Sequence, residues 1–168
     1  MRIWQDIADF TDPVKSNIIV IREDGQKQTD KLFDSTAIHA ANLLRSTLHG
    51  NLTPRTQPWL SLKLRQEDLN DDQQITEWLE DCARRMHMAL RQSNFTTAVD
   101  EMYGDLVRPG TGCLFCEEEQ LTSTGRFPGL RFEAVSIGHF FIGEDRRGRV
   151  DTIFRDFKLA ARVIMDRW

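Results

Sequence analysis

Between Asp72 and Gln92 the apolar residues Ile75, Trp78, Leu79, Cys82, Met86 and Leu90 recur at intervals of three and four, while Glu80, Arg84, Arg85 and Arg91 lie off that stripe. The period predicts a long amphipathic helix with its stripe facing the core. Asp71 and Gln74 have the spacing of a capping box at its start. A second helix follows almost at once: Asn94 stands in capping position, Phe95, Ala98, Met102 and Leu106 recur behind it, and Pro109-Gly110 ends it. Helices joined by so short a link pack antiparallel.

Further elements are read around this pair. Ile3, Trp4, Ile7 and Phe10 predict a short amphipathic helix that stops before Pro13. Ile18 to Arg22 is a β-branched run before the turn dipeptide Asp24-Gly25, so a hairpin or an extended excursion is expected there. Asp34 or Ser35 caps a helix carrying Ala37, Ile38, Ala41, Leu44 and Leu48, with its stop at Gly50 and its alanines suited to close packing. Trp59 to Leu64 alternates, which puts Leu60, Leu62 and Leu64 on the buried face of a strand. Three further strands are expected at Cys113 to Glu117, Leu130 to Val135 and Val150 to Phe157, with Asp145 to Gly148 offering a turn between Phe140-Phe141-Ile142 and Val150. A last helix begins near Leu159 and runs to Trp168. The class is therefore α+β: several amphipathic helices with a small antiparallel sheet. The first helix begins abruptly and the last has no cap, so residues 1–168 read as a single domain or domain fragment, cut at both ends.

At 168 residues, 40% hydrophobic and 29% charged, the chain can bury a real core and is far from the composition of disorder. A formal charge of -4 gives no general attraction to nucleic acid or to an anionic membrane. The three cysteines Cys82, Cys113 and Cys116 are sparse and odd in number, as in a reduced cytosolic protein. No apolar run approaches the roughly 18 to 20 residues of a membrane span. The acceptor tripeptides at Asn51 and Asn94 are read as chance matches.

Catalytic and metal chemistry finds little support. Cys113 and Cys116 have the spacing of a zinc knuckle or redox pair, with His87 and His139 as conceivable completing ligands, but there is no second such pair. On a strand, positions three apart face opposite ways, which separates the thiols. Asp68 to Asp72 imitates the opening of a calcium loop, yet Gln73 and Leu79 stand where the turn glycine and the bidentate glutamate belong, so capping is the better reading. Gly110-Thr111-Gly112 leads into a strand with no lysine following to hold phosphate, and reads as a turn. The histidines His39, His49, His87 and His139 are isolated. The acidic run Glu117 to Glu119 and the basic turn Arg146 to Arg149 read as solvated faces that could meet across a subunit boundary. No catalytic, cofactor or metal residue is assigned.

The order of Phe33-Asp34-Ser35-Thr36-Ala37, the alanine-bearing helix to Gly50, Asn51-Leu52-Thr53-Pro54 and Pro58-Trp59-Leu60-Ser61-Leu62 resembles the head-to-tail connector (portal) protein family of short-tailed bacteriophages. The resemblance continues through Trp78-Leu79, Ser93-Asn94-Phe95, Gly110-Thr111-Gly112-Cys113, Gly148-Arg149-Val150-Asp151-Thr152 and Arg155-Asp156-Phe157. It departs at Arg108-Pro109, where an apolar pair is expected, and at Cys116, a second thiol. The resemblance implies a non-enzymatic virion protein, the N-terminal portion of a portal, in its wing region. It implies a homo-oligomeric ring, usually a dodecamer, assembled in the host cytoplasm. The implied partners are further copies of itself, the major capsid or scaffold protein, terminase, tail adaptor proteins, and duplex DNA only through the channel of the intact ring. The alternative of a different kind is a small stand-alone interaction module of prophage origin.

Overall fold

The computed structural model describes residues 2–15, 17–20, 23, 25–27, 29, 31–119, 128–156 and 158–167. Among them lie five α-helices, α1 (Arg2–Thr11), α2 (Thr36–Leu52), α3 (Gln73–Gln92), α4 (Phe95–Val107) and α5 (Ala161–Arg167). Four strands, β1 (Cys113–Glu118), β2 (Leu130–Val135), β3 (Phe140–Glu144) and β4 (Val150–Arg155), complete an α+β fold. The strands form two separate antiparallel pairs, β1 with β2 and β3 with β4, where one small sheet was expected. Of the expected fourth strand, Phe157 lies outside the described residues, as does Trp168 of the last helix.

The core gathers on α4 and β2. Ala98, Val99 and Tyr103 of α4 and Phe132 and Val135 of β2 are buried, and Ile137 and Phe140 close a cluster with Val135 against Trp4, Ile18 and Cys113. Helix α4 packs on α2, on β2 and on β1 as well as on α3. Leu106, expected on the inward stripe, is 40% exposed, because the buried face of α4 runs through Val99, Tyr103 and Asp105 instead.

Helix α3 forms where its period predicts, but rotated. Leu79 and Ala83 are the buried residues, whereas Trp78 is 63% and Met86 44% exposed. Its placement among its neighbours covers only one side of a broad apolar stripe. The cap is Asp72 and not Asp71: its carboxylate accepts from the amides of Gln74 (2.8 Å) and Ile75 (3.4 Å). Asp72→Ala is expected to lower stability by about 1 kcal/mol, as loss of a helix cap does, while Asp71→Ala leaves the urea midpoint unchanged. Equal effects of the two would remove Asp72 from the capping role.

Leu60, Leu62 and Leu64 are half-buried and alternate with exposed Trp59, Ser61 and Lys63, so the expected alternation is present without a pairing strand. Two side chains hold this extended segment instead. His87 Nε2 accepts from the Leu60 amide (3.3 Å), and Asn70 brackets Leu64 by accepting from its amide (2.8 Å) and donating to its carbonyl (3.0 Å).

The β-branched run after residue 17 is no strand over residues 18–20. Its amides at Ile18, Ile19 and Val20 all donate to the buried Gln5 carboxamide oxygen, at 3.3, 2.9 and 3.3 Å, so they are unavailable to a ladder. Arg22 and Asp24 lie outside the described residues. Gln5 also donates to Asp9 (2.9 Å), whose other oxygen accepts from Lys31 (2.7 Å). The most buried residues of α1 are thus Gln5, Ala8 and Asp9; of the predicted apolar stripe, Trp4 packs against the core and Ile7 is half-buried, while Ile3 and Phe10 are exposed.

Helix α2 runs two residues past Gly50 and buries none of its residues. Asp34 serves its start by accepting from the Thr36 amide (2.9 Å), while Ser35 makes no side-chain cap bond. The helix packs along α4, with Ala41 half-buried, and polar contacts join the two, Arg108 to Asn42 (2.9 Å) and Arg45 to Asp100 (3.4 Å).

Candidate interaction surface

Of the residues with conceivable chemistry, Cys113 and His87 make packing or hydrogen-bond contacts, whereas Cys116 and His139 are exposed. Cys113 and Cys116 lie on β1 opposite Val135 and Phe132. Cys113 packs into the cluster of Val135, Ile137 and Phe140, and burial pushes its thiol up, partly offset by the Arg155 guanidinium. Cys116 is exposed. A strand separates such positions onto opposite faces, as the spacing predicts. His87 is engaged with Leu60 and lies edge-on to Trp59, with ring centroids 5.5 Å apart. His139 is exposed, beyond β2, and its carbonyl accepts from the Asp156 amide. His49 faces Asp100 at 3.4 Å. Among the described residues no group of three or more His, Cys, Asp or Glu side chains is placed to hold a metal ion.

The glycines of Gly110-Thr111-Gly112 do mechanical work at the junction of α4 and β1. Gly110 turns the chain at φ +80, and a Cβ on Gly112 would stand 3.0 Å from the Met102 carbonyl oxygen. A side chain at either position is excluded by geometry, with no phosphate in the argument.

Two positions that the sequence marked for other reasons organise the fold. The Asn94 side chain, expected to cap α4, makes no cap bond. It accepts from the Phe132 amide (2.8 Å) and donates to the Phe132 carbonyl (2.7 Å), bridging α4 to the outer edge of β2. Arg108 is the second: its side chain is 9% exposed, pairs with Asp12 at 3.1 Å and donates to Asn42. No local pattern announces either contact, since both partners are distant in sequence.

What remains exposed is apolar. In β3 and β4 the pairs Phe141–Phe154 and Ile142–Ile153 lie directly opposite each other, and all four side chains are at least 47% exposed. Because alternate residues face opposite sides, both faces of this hairpin are apolar. Its turn is fixed by Asp145, whose carboxylate accepts from the amides of Arg147 (2.7 Å) and Arg149 (2.9 Å). At its base Arg155 pairs with Glu133 and lies 5.3 Å from the Phe115 ring centroid, joining the two strand pairs.

A second feature is a groove of about 840 Å³ between segment 58–64 and α3, floored by Leu60, Leu62, Leu79 and Ala83. Glu77, Glu80, Asp81, Arg84 and Lys63 stand around it. Arg84 and Arg85 both bind Asp81 and hold its carboxyl below the usual carboxylate range. Glu77 and Glu80 have no ion-pair partner among the described residues. No helix among the described residues is long and apolar enough to cross a membrane.

Comparison with known proteins identifies the scaffold to which these surfaces belong. The sequence model of the family described as bacteriophage head to tail connecting protein matches residues 1–168. The chain is 28% identical over 169 aligned positions to the portal protein of Salmonella phage epsilon15, covering 98% of the chain and 29% of that protein. It is 26% identical over 161 positions to the probable portal protein of Bordetella phage BPP-1, covering 95% of the chain and 28% of that protein. It therefore spans less than a third of the length of these curated relatives. With a match along all 168 residues, the chain belongs to the bacteriophage head to tail connecting protein family.

Proposed function

We propose that the chain is a structural part of a phage portal and not an enzyme. The observation that carries this is the family match along its whole length, together with two relatives named portal or probable portal protein. In this reading copies of the protein form a closed ring, a dodecamer by family resemblance, at one vertex of the virion. DNA enters and leaves through the channel of the intact ring, terminase and the capsid or scaffold protein meet it during assembly in the host cytoplasm, and tail adaptor proteins attach to it afterwards. The segment described here belongs to the wing. Its charge of -4 supports a role outside the DNA-lined channel.

The exposed apolar side chains of α2, α3 and the β3–β4 hairpin support an assembly role, since surfaces of this kind mark interaction sites. Size-exclusion chromatography with light scattering tests the reading. The 168-residue chain is expected to self-associate into dimers or mixed oligomers as its concentration rises. A strictly monomeric, freely soluble chain at high concentration would favour a stand-alone interaction module.

A further inference from the structure

The β3–β4 hairpin and the groove beside α3 are deficient in complementary ways. A two-stranded hairpin is marginal in water, and this one has no third strand on either edge and apolar side chains on both faces. Segment 58–64 alternates in exposure but has no partner strand among the described residues, and on its α3 side the Leu60 and Leu64 amides are taken by His87 and Asn70, which leaves the groove lined by side chains. One feature presents apolar faces, and the other is a recess with an apolar floor. A head-to-tail contact between identical subunits needs two different patches of this kind on one chain.

We infer that the β3–β4 hairpin of one copy seats its apolar side chains in the groove between segment 58–64 and α3 of a second copy. Charge sets the orientation. Arg146, Arg147 and Arg149 at the hairpin turn are exposed and have no ion-pair partner among the described residues, and Glu77 and Glu80 on the groove rim likewise have none. Lys63, on the opposite wall, supplies the counter-charge for Glu144 and Asp151 of the hairpin. Phe141, Ile142, Ile153 and Phe154 supply the apolar contact. The inference rests on the portal reading, which requires self-association but does not specify which faces meet.

Two populations of the 168-residue chain, both carrying Cys116→Ser, test it. One carries Ser61→Cys in the groove wall and the other Thr152→Cys in the hairpin, and they are mixed with a short bis-maleimide. A mixed cross-linked dimer is expected, well above the yield with Thr97→Cys on the exposed face of α4 as partner. Arg147→Glu with Arg149→Glu in the hairpin population is expected to lower the yield about tenfold, and Glu77→Lys with Glu80→Lys in the groove population to restore it. A yield no higher than the Thr97 control in a chain that still oligomerises would overturn this contact and leave the portal reading standing. A monomeric chain would remove both. Efficient cross-linking within a single chain carrying both cysteines at high dilution would mean that the hairpin fills its own groove, and would overturn the contact between copies.

Discussion

Arg108→Ala is expected to lower the unfolding free energy by about 3 to 5 kcal/mol, the range for removing one partner of a buried ion pair. The side chain is 9% exposed, and its two terminal nitrogens are committed to elements far apart in sequence, Asp12 beyond α1 at 3.1 Å and Asn42 on α2 at 2.9 Å. Removing it leaves the Asp12 carboxylate, 19% exposed, without its counter-ion. Much of the loss is the cost of that stranded charge, so it need not appear when both partners go. Asp12→Ala in the Arg108→Ala background is therefore expected to cost less than the sum of the single changes, and Arg108→Met with Asp12→Leu to come close to the parent chain. Urea denaturation at a concentration where the chain is monomeric checks the cycle. Additive single changes would show that the two side chains do not act as a pair.

Arg108 also explains why sequence reading reached some elements and missed others. It stands where the family resemblance leads one to expect an apolar residue, and nothing nearby in sequence predicts that Asp12 and Asn42 converge on it. The strands β1, β2 and β4 were legible because short apolar runs and the Asp145 to Gly148 turn are local signals, whereas the alternation of residues 59–64 is present without a strand. The length of α3 was legible for the same reason, but its rotation was not. A broad apolar stripe permits several inward faces, and the placement of α3 among its neighbours buries Leu79 and Ala83 while leaving Trp78 and Met86 outside. The run at residues 18–20 has strand propensity, yet its amides turn onto Gln5, a partner more than ten residues away. Of the predicted apolar stripes, Leu79 and Ala98 are buried, while Ile3, Phe10, Trp78, Met86 and Leu106 are exposed, because spacing marks a side chain as apolar without saying which side a neighbour covers. The pairing of Cys113 and Cys116 with opposite faces followed from strand geometry alone. The groove beside α3 left no local signal, because it is made by two segments whose separation is set by the His87 and Asn70 contacts.

Phe132→Ala is expected to cost about 3 to 5 kcal/mol, as truncation of a large buried aromatic side chain does. Phe132 is 7% exposed and meets Phe95 edge-on with ring centroids 5.1 Å apart. Phe95 in turn stacks on Trp59 at 5.7 Å and an interplanar angle of 14°. The ring series thus runs from β2 through the start of α4 to the extended segment beside the groove. Asn94 fixes the Phe132 backbone on both its amide and its carbonyl, so the strand cannot readily shift to fill the space left by the ring. A cavity that cannot collapse is the costly kind. The same substitution removes the support behind Phe95 and is expected to loosen Trp59, so native-state tryptophan fluorescence should shift to the red, in proportion to the greater exposure of that indole. Phe141→Ala, at a hairpin position that is 50% exposed, supplies the control and should cost under about 1 kcal/mol in the monomer. Denaturant midpoints with an unchanged slope for both variants give the comparison directly. A Phe132 variant no less stable than the Phe141 variant would mean that the rings of Phe132, Phe95 and Trp59 do not form the continuous support between β2 and segment 58–64. The groove wall would then have to be held by His87 and Asn70 alone.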